Sequence, residues 1–269
     1  MQAWGFFVNF ASDMESTAAL YLIPVNISDA PLEDVLPAHV LQILPSLRHY
    51  IVENLRTARR FLRKAHRDID IDSITFYELN THTDPTEVAA MLEPLQRGES
   101  IGLMSEAGCP AVADPGSLAV AEAQKRGLKV VPMVGPSSIL LSLMGSGFNG
   151  QSFCFHGYLP IDAAERTRRL RELESDTVRR GTTHIFIETP YRNNKLFSNL
   201  TEILRDETML CVAAGVTDPE RESVRTMSVR QWKHQPAPDF SGVPAIFLIG
   251  RTDTQVRKNS TGRKISPGN

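Results

Sequence analysis

Short apolar runs alternate with helix-like stretches through the first half of this 269-residue chain. Residues 20–25, 50–52, 74–79, 101–104 and 129–133 each read as a strand, bounded by polar or turn-forming residues. Between them, residues 57–65 predict a basic helix. The string Asp84-Pro85-Thr86-Glu87 starts another, with an N-cap carboxylate, a proline at the first helical position and a glutamate able to reach back. Pro94 should end or kink that helix before Gly98, because proline lacks the N–H that the helical ladder needs. Residues 117–126 predict a further helix stopped by Gly127, and the apolar run 139–144 follows the next loop. Strands separated by helices imply βαβ units and a mainly parallel sheet.

The pattern changes after Gly145-Ser146-Gly147-Phe148-Asn149-Gly150, where three glycines in six residues break a helix and mark a linker. Residues 153–156, 184–188, 209–214, 224–228 and 245–249 read as strands, 163–173 as an arginine-rich helix and 193–204 as another. The short connections between the last three strands predict antiparallel pairs in a mixed sheet. The expected class is therefore α/β in two domains. An N-terminal α/β domain over 18–146 carries the mainly parallel sheet, and a smaller α+β domain over 151–250 carries the mixed one. Residues 1–17 form an N-terminal extension. Residues 251–269 are a polar tail expected to be disordered, with Arg251, Arg257, Lys258, Arg263 and Lys264 against Asp253 alone.

A hydrophobic content of 42% and a charged content of 22% are those of a soluble globular protein, and no apolar segment is long enough to span a bilayer. The N-terminal stretch lacks a basic start and meets Asp13 and Glu15 early, so the protein is expected to be cytoplasmic. Cys109, Cys154 and Cys211 stand singly, and none of the seven histidines forms a metal-type pair, so no metal is expected. A net charge of -2 argues against a broadly basic surface. Two local clusters depart from that balance: Arg56, Arg59, Arg60, Arg63 and Lys64, and Arg166, Arg168, Arg169 and Arg171. Each is either a phosphate-binding stripe or a solvated helical face, the two readings carrying equal weight because Glu165, Glu172 and Glu174 stand nearby.

The most informative chemistry lies in the loop from Ser105 to Gly116, which follows the apolar run 101–104 and precedes a helix. In open α/β sheets such loops lie at the carboxyl ends of strands, where ligands bind. The strand, loop and helix recur at Val134-Gly135-Pro136-Ser137-Ser138. Neither loop carries the lysine of a phosphate-binding P-loop, and no Gly-x-Gly-x-x-Gly follows the first strand, so ATP and NAD chemistry are disfavoured.

Five motifs occur in a telling order. They are Leu20-Tyr21-Leu22-Ile23-Pro24-Val25, then Ser105-Glu106-Ala107-Gly108-Cys109-Pro110 with Asp114-Pro115-Gly116, then Val131-Pro132-Met133-Val134-Gly135-Pro136-Ser137-Ser138, then Gly157-Tyr158-Leu159-Pro160, and finally Glu188-Thr189-Pro190-Tyr191-Arg192. In that order they resemble the tetrapyrrole-methylase-like, class III S-adenosylmethionine methyltransferases. Within these they look most like the branch that methylates a ribose 2′-hydroxyl in small-subunit ribosomal RNA. The resemblance implies a two-domain tetrapyrrole methylase-like fold, a homodimer, an RNA partner, and S-adenosylmethionine held in a cleft by loops of both domains. It assigns Pro24, Ser105, Glu106, Ala107, Gly108, Asp114, Pro115, Gly116, Gly135, Pro136, Ser137 and Ser138 to the cofactor from the first domain, and Tyr158, Leu159 and Pro160 from the second.

The chain departs from that branch on the acceptor side. Glu53-Asn54-Leu55-Arg56 stands where the branch shows Glu-Asp-Thr-Arg, Asn26-Ile27-Ser28-Asp29-Ala30-Pro31 replaces a Gly-Asn-Leu-Glu-Asp loop, and Tyr191 replaces a histidine. Glu106 and Cys109 likewise alter a Ser-Asp-Ala-Gly-Thr-Pro string. Methyl transfer from a sulfonium is an in-line displacement governed by positioning, and only the acceptor hydroxyl needs a base. Glu53, Glu106, Asp114 and Glu188 are candidate bases, each of which could equally cap a loop, while Arg56, Arg166 and Arg192 are candidate contacts for the acceptor. Three readings follow: an RNA 2′-O-methyltransferase, a methyltransferase for a small acceptor such as a tetrapyrrole, and a non-catalytic protein that keeps the cofactor fold.

Overall fold

The computed structural model describes residues 18–252 of the chain, so the expectations for the extension 1–17 and for 253–269 of the tail lie outside the described residues. The described residues form two compact units, one from residues 18–25 and 36–135 and the other from residues 26–35 and 136–252.

The first unit is built on β1 (Ala19–Leu22), β2 (His49–Val52), β3 (Thr75–Glu78), β4 (Ile101–Met104) and β5 (Lys129–Pro132). Their order is β3-β2-β4-β1-β5, with every pair parallel. The central β4 is buried throughout and the edge strands β3 and β5 are only partly buried, as in a parallel sheet covered on both faces. Leu20, Ile51, Ile101 and Leu103 lie in one apolar cluster with Val88, Met91, Leu92, Leu95, Ala119 and Ala123. Gly102 in the central strand leaves space for the Tyr50 ring, since a Cβ there would stand 2.7 Å from Tyr50 Cε1 and from Ile23 Cδ1. Tyr50 is buried and donates its hydroxyl to the Leu44 carbonyl at 2.8 Å.

The single turn α1 (Leu32–Val35) belongs to the second unit, and the helices of the first are α2 (Ala38–Ile43), α3 (Leu55–Ala65), α4 (Val88–Met91), α5 (Glu93–Gln96) and α6 (Gly116–Lys125). The region from Asp84 to Gln96 is broken as Pro94 predicted: the chain runs as a 3-10 turn, then α4, then α5 with Pro94 in its first turn. Asp84 caps it by accepting from the Thr86 N–H at 2.9 Å. Gly127 adopts a φ of 65° just beyond α6, the left-handed conformation that stops a helix.

The second unit holds α7 (Ser138–Ser146), α8 (Ala163–Arg180), α9 (Asn193–Ile203) and α10 (Val229–Lys233) around β6 (Phe153–Tyr158), β7 (Thr183–Ile187), β8 (Met209–Ala214), β9 (Ser223–Ser228) and β10 (Ala245–Gly250). The sheet is mixed, in the order β6-β7-β10-β8-β9, with only β6 and β7 parallel. All six residues of β10 are buried, because both faces of the sheet are covered. Phe247 and Ile249 pack with Leu170 and Leu173 of α8, Phe197 and Leu200 of α9 and Trp232 of α10, whereas Ile246 and Leu248 pack with Leu143 of α7.

The division between units differs from the glycine-rich break expected at 145–150: it falls at Gly135 and Pro136, and α7 belongs to the second unit. The reason is packing, since α7 lies against β8, β9 and β10 and buries Leu143 among their side chains. Segment 26–35 joins the same unit, with the Ser28 hydroxyl donating to the Thr217 carbonyl at 2.9 Å. The arginine-rich helix is also longer than the expected 163–173, running to Arg180 before Gly181 closes it with a φ of 74°.

One sequence departure has a plain structural role. Asn54 is the N-cap of α3, its side-chain oxygen accepting from the N–H groups of Arg56 at 2.9 Å and Thr57 at 3.2 Å. An amide serves this purpose as well as a carboxylate. Asn54→Ala should therefore lower the unfolding free energy by about 1 kcal/mol, and Asn54→Asp should leave it unchanged within error, read as the shift of the urea midpoint.

Candidate active site

The strands of the first unit end in loops that continue side by side. Beyond β1 the Ile23 N–H donates to Leu103 O at 2.9 Å and the Val25 N–H to Gly108 O at 3.0 Å, while Met133 N–H beyond β5 donates to Leu22 O at 3.1 Å. Pro24, the loop 105–116 and Gly135 are thus brought together at the carboxyl ends of β1, β4 and β5. A Cβ at Gly135 would fall 2.2 Å from the Pro24 ring, so only glycine fits beside that proline. The Cys109 thiol lies 3.8 Å from Gly135 O, and burial pushes its pKa up, as suits a packing residue better than a nucleophile.

The loop itself is tightly wound. Asp114 Oδ1 accepts from the N–H groups of Ala111 at 3.0 Å and Gly116 at 2.8 Å, and so closes a turn into α6. Gly108, Ala111 and Ala113 have φ values of 71°, 66° and 63°. For the two alanines this left-handed conformation is strained, and strain of this kind concentrates at functional loops. Ala107, Val112 and Ala113 are exposed, as is Val134 beside Gly135. Ser105 turns inward along the loop, its hydroxyl donating to Ala107 O at 3.3 Å, and Pro115 directly precedes Gly116 at the start of α6.

Glu53 and Glu106 meet at this surface. The Glu106 N–H donates to Glu53 Oε2 at 3.2 Å, and the Thr57 hydroxyl to Glu106 Oε1 at 3.4 Å. Desolvation raises the Glu53 pKa above the usual carboxylate range; the Glu106 N–H opposes the rise, and the charges of Glu106 and Asp114 add to it. Thr57 was not anticipated, although its spacing four residues after Glu53, at the start of a helix, is a readable sign. Arg56 is exposed on the same helix.

The second unit holds the remaining predicted residues. Pro136 is buried, and Ser137 caps α7, its hydroxyl oxygen accepting from the Leu140 N–H at 3.5 Å, with Ser138 opening the helix. Tyr158 is exposed at the end of β6 and Leu159 is buried. The carbonyls of Pro160 and Ile161 accept from Arg166 Nη1 at 3.1 and 2.8 Å. Glu188 lies just past β7, where its Oε1 accepts from the Thr189 N–H at 2.7 Å and from Arg192 Nη2 at 2.6 Å. Arg166 and Arg192 line one small cavity, together with Lys195, which had not been singled out. Arg56 belongs to the first unit and is not part of that group.

The histidines, each read as isolated, include a coupled pair. His156 Nε2 lies 2.9 Å from His184 Nδ1, His184 Nε2 is 3.3 Å from Asp176 Oδ2, and Arg169 Nη2 is 3.1 Å from His156 Nδ1. Desolvation, then the neighbouring His184 and Arg169, push the His156 pKa down to about 4. The pairing of β6 with β7 creates this contact across 28 positions of sequence. Among the described residues, no group of three or more His, Cys, Asp or Glu is placed to hold a metal, and no helix is long and apolar enough to cross a membrane.

A parallel five-stranded sheet followed by a mixed one is the architecture of the tetrapyrrole methylase fold. The methyltransferase CobJ shares it with a TM-score of 0.55 over 87% of this chain and 93% of its own, at 17% identity. The cobalt precorrin-4 methyltransferase CbiF shares it with a TM-score of 0.52 over 89% and 98%, at 14% identity. In sequence, ribosomal RNA small subunit methyltransferase I of Mesorhizobium japonicum is 32% identical over 239 residues, 88% of this chain and 76% of that protein. The Bacillus subtilis protein of the same name is 30% identical over 81% of this chain and 69% of its own length. The match to the Vibrio cholerae relative, also 32% identical, spans 65% of that protein, slightly under two thirds. No family model matches the sequence. The chain belongs to the ribosomal RNA small subunit methyltransferase I family.

Two outcomes are expected. Gly135→Ala forces a methyl group into the Pro24 ring and should cost about 1–3 kcal/mol, seen as a lowered melting temperature. For His156 the folded-state pKa lies below the unfolded value near 6.5, so its contribution is present above that pH and is lost progressively as the pH falls towards about 4. His156→Gln should accordingly flatten the drop in melting temperature between those two pH values relative to the parent protein.

Proposed function

We propose that the protein is an S-adenosylmethionine-dependent methyltransferase that methylates an RNA ribose 2′-hydroxyl of the small ribosomal subunit. The observation that carries this reading is the wound loop 105–116, held beside Pro24 and Gly135 at the carboxyl ends of the parallel strands in a chain of this family. A tetrapyrrole acceptor has the fold likeness alone in its favour.

The residues fit the cofactor's chemistry. S-adenosylmethionine supplies, when bound, a methyl group activated on a sulfonium cation. Val112 and Val134 offer exposed apolar surface suited to an adenine. Glu53, Glu106 and Asp114 supply the negative charge that a sulfonium and an ammonium group would favour. Pro24, Ser105, Glu106, Ala107, Gly108, Asp114, Pro115, Gly116 and Gly135 are assigned to the cofactor on this ground. Pro136, Ser137, Ser138, Tyr158, Leu159 and Pro160 are assigned on the resemblance, which also implies a homodimer working in the cytoplasm.

Of the candidate bases, Glu53 suits the acceptor proton best, because its raised pKa brings a carboxylate closer to neutrality. Glu106 holds Glu53 through its own N–H, and Glu188 is neutralised by Arg192. Arg56, Arg166 and Arg192 are the cations assigned to the acceptor's phosphates.

Calorimetric titration should detect S-adenosylmethionine binding, and label from the tritiated methyl group should enter small ribosomal subunits. Label entering a tetrapyrrole instead would overturn the RNA assignment, and absence of cofactor binding would remove the methyltransferase. Glu53→Gln should lower kcat by about 10²-fold or more with cofactor affinity retained, and the parent rate should rise with pH through the raised Glu53 pKa.

A further inference from the structure

The cavity of the second unit contains more than the family motif explains. It is lined by Arg166 from α8, Glu188 and Arg192 from the turn after β7, Lys195 and Asn199 from α9, and Ile161. Its volume is about 70 Å³, and a water molecule takes up ~30 Å³ of liquid. The space admits a group the size of a tetrahedral oxyanion.

The charges point the same way. Three cations line the cavity, and a single carboxylate, Glu188, is engaged by Arg192 at 2.6 Å. Lys195 is exposed and makes no ion pair among the described residues. Arg166 and Arg192 each keep a buried Nε–H with no hydrogen-bond partner. Both Nε–H groups are shielded from the cavity, so it is the outer guanidinium nitrogens and the Lys195 ammonium that face an entering anion. The Arg166 guanidinium is also fixed in place by the carbonyls of Pro160 and Ile161, so no ordering is required of it when an anion arrives.

Tyr191, which directly precedes the cavity-lining Arg192, is 92% exposed and without a hydrogen bond or ring contact among the described residues. An aromatic ring held out in solvent next to a cationic pocket is the pairing that proteins use for single-stranded nucleic acid, one element for a phosphate and the other for a base. We propose that this cavity seats one backbone phosphate of a single-stranded RNA segment, held by Arg166, Arg192 and Lys195, while the neighbouring base stacks on Tyr191. The assignment rests on the RNA reading above and deepens it, by giving the strand an anchor on the second unit.

The test uses the full-length protein with a fluorescent single-stranded RNA oligonucleotide, its binding followed by anisotropy across a salt series. Lys195→Ala should weaken binding and reduce the slope of log affinity against log salt by about 0.7, the loss of one phosphate contact. Tyr191→Ala should weaken binding about tenfold with the slope unchanged, and Tyr191→Phe should restore it. Lys233→Ala, which removes a lysine paired with Asp206 elsewhere on the unit, is the control for charge alone. Affinities and slopes for Lys195→Ala and Tyr191→Ala equal to that control would overturn the proposal. So would inorganic phosphate that saturates the wild type while RNA affinity is indifferent to Tyr191, since the pocket would then serve the free ion. Methyl transfer into small ribosomal subunits is measured in parallel. Dependence on Lys195 and Tyr191 in binding without any transfer by the wild type would sink the proposed reaction and leave the pocket; transfer with KM unaffected in both variants would do the reverse.

Discussion

The position of β1 between β4 and β5 is the constraint on which the first unit depends. Its parallel register sets Leu20 opposite both Ile101 and Val130, so three strands leave the sheet at the same level. The backbone bonds from Ile23, Val25 and Met133 carry that alignment past the strands and into the loops. The apposition of Gly135 and Pro24 follows from it, while the pairing of β2 with β4 brings Glu53 to Glu106. A slip of one residue in β1 would turn Leu20 out of its cluster, which fixes the register through the core.

In the second unit the same work is shared between packing and charge. β10 is covered on both faces, and that coverage holds the end of β7 and the start of α9 in place. Glu188 and Arg192 are thereby fixed relative to Arg166 on α8, and a cationic cavity arises from three separate stretches of sequence. The histidine pair on β6 and β7 is another product of that sheet, a partly buried polar contact in which desolvation disfavours the charged imidazole.

Elements were legible in the sequence wherever a local signal was strong. The apolar run of β4, the Pro94 break and the Gly127 stop each depend on a few neighbouring residues, and the folded chain follows them. The loops of the candidate site were legible as motifs, because small residues and prolines have fixed backbone consequences. What escaped the reading depends on residues far apart in sequence. The crossing at Gly135 is decided by what α7 buries, not by the more conspicuous glycines at 145–150. His156 with His184, and Arg166 with Lys195, meet only through the second sheet and its helices. Single-residue spacing carries no record of such pairings.

The segment 26–35 gives the chain an unusual economy of connection. The polypeptide passes between its two units at 25–26, 35–36 and 135–136, so the second unit draws residues from both sides of the stretch 36–135. A fragment starting at Pro136 would lack Ser28 and so the hydroxyl that engages the Thr217 carbonyl, and Thr217 holds a strained φ of 68° there. The halves of such a protein are therefore not interchangeable beads. Gene fusion, truncation or exchange at the obvious midpoint would leave a ten-residue debt on one side, and recombination between relatives is safe only where both pieces of the second unit travel together.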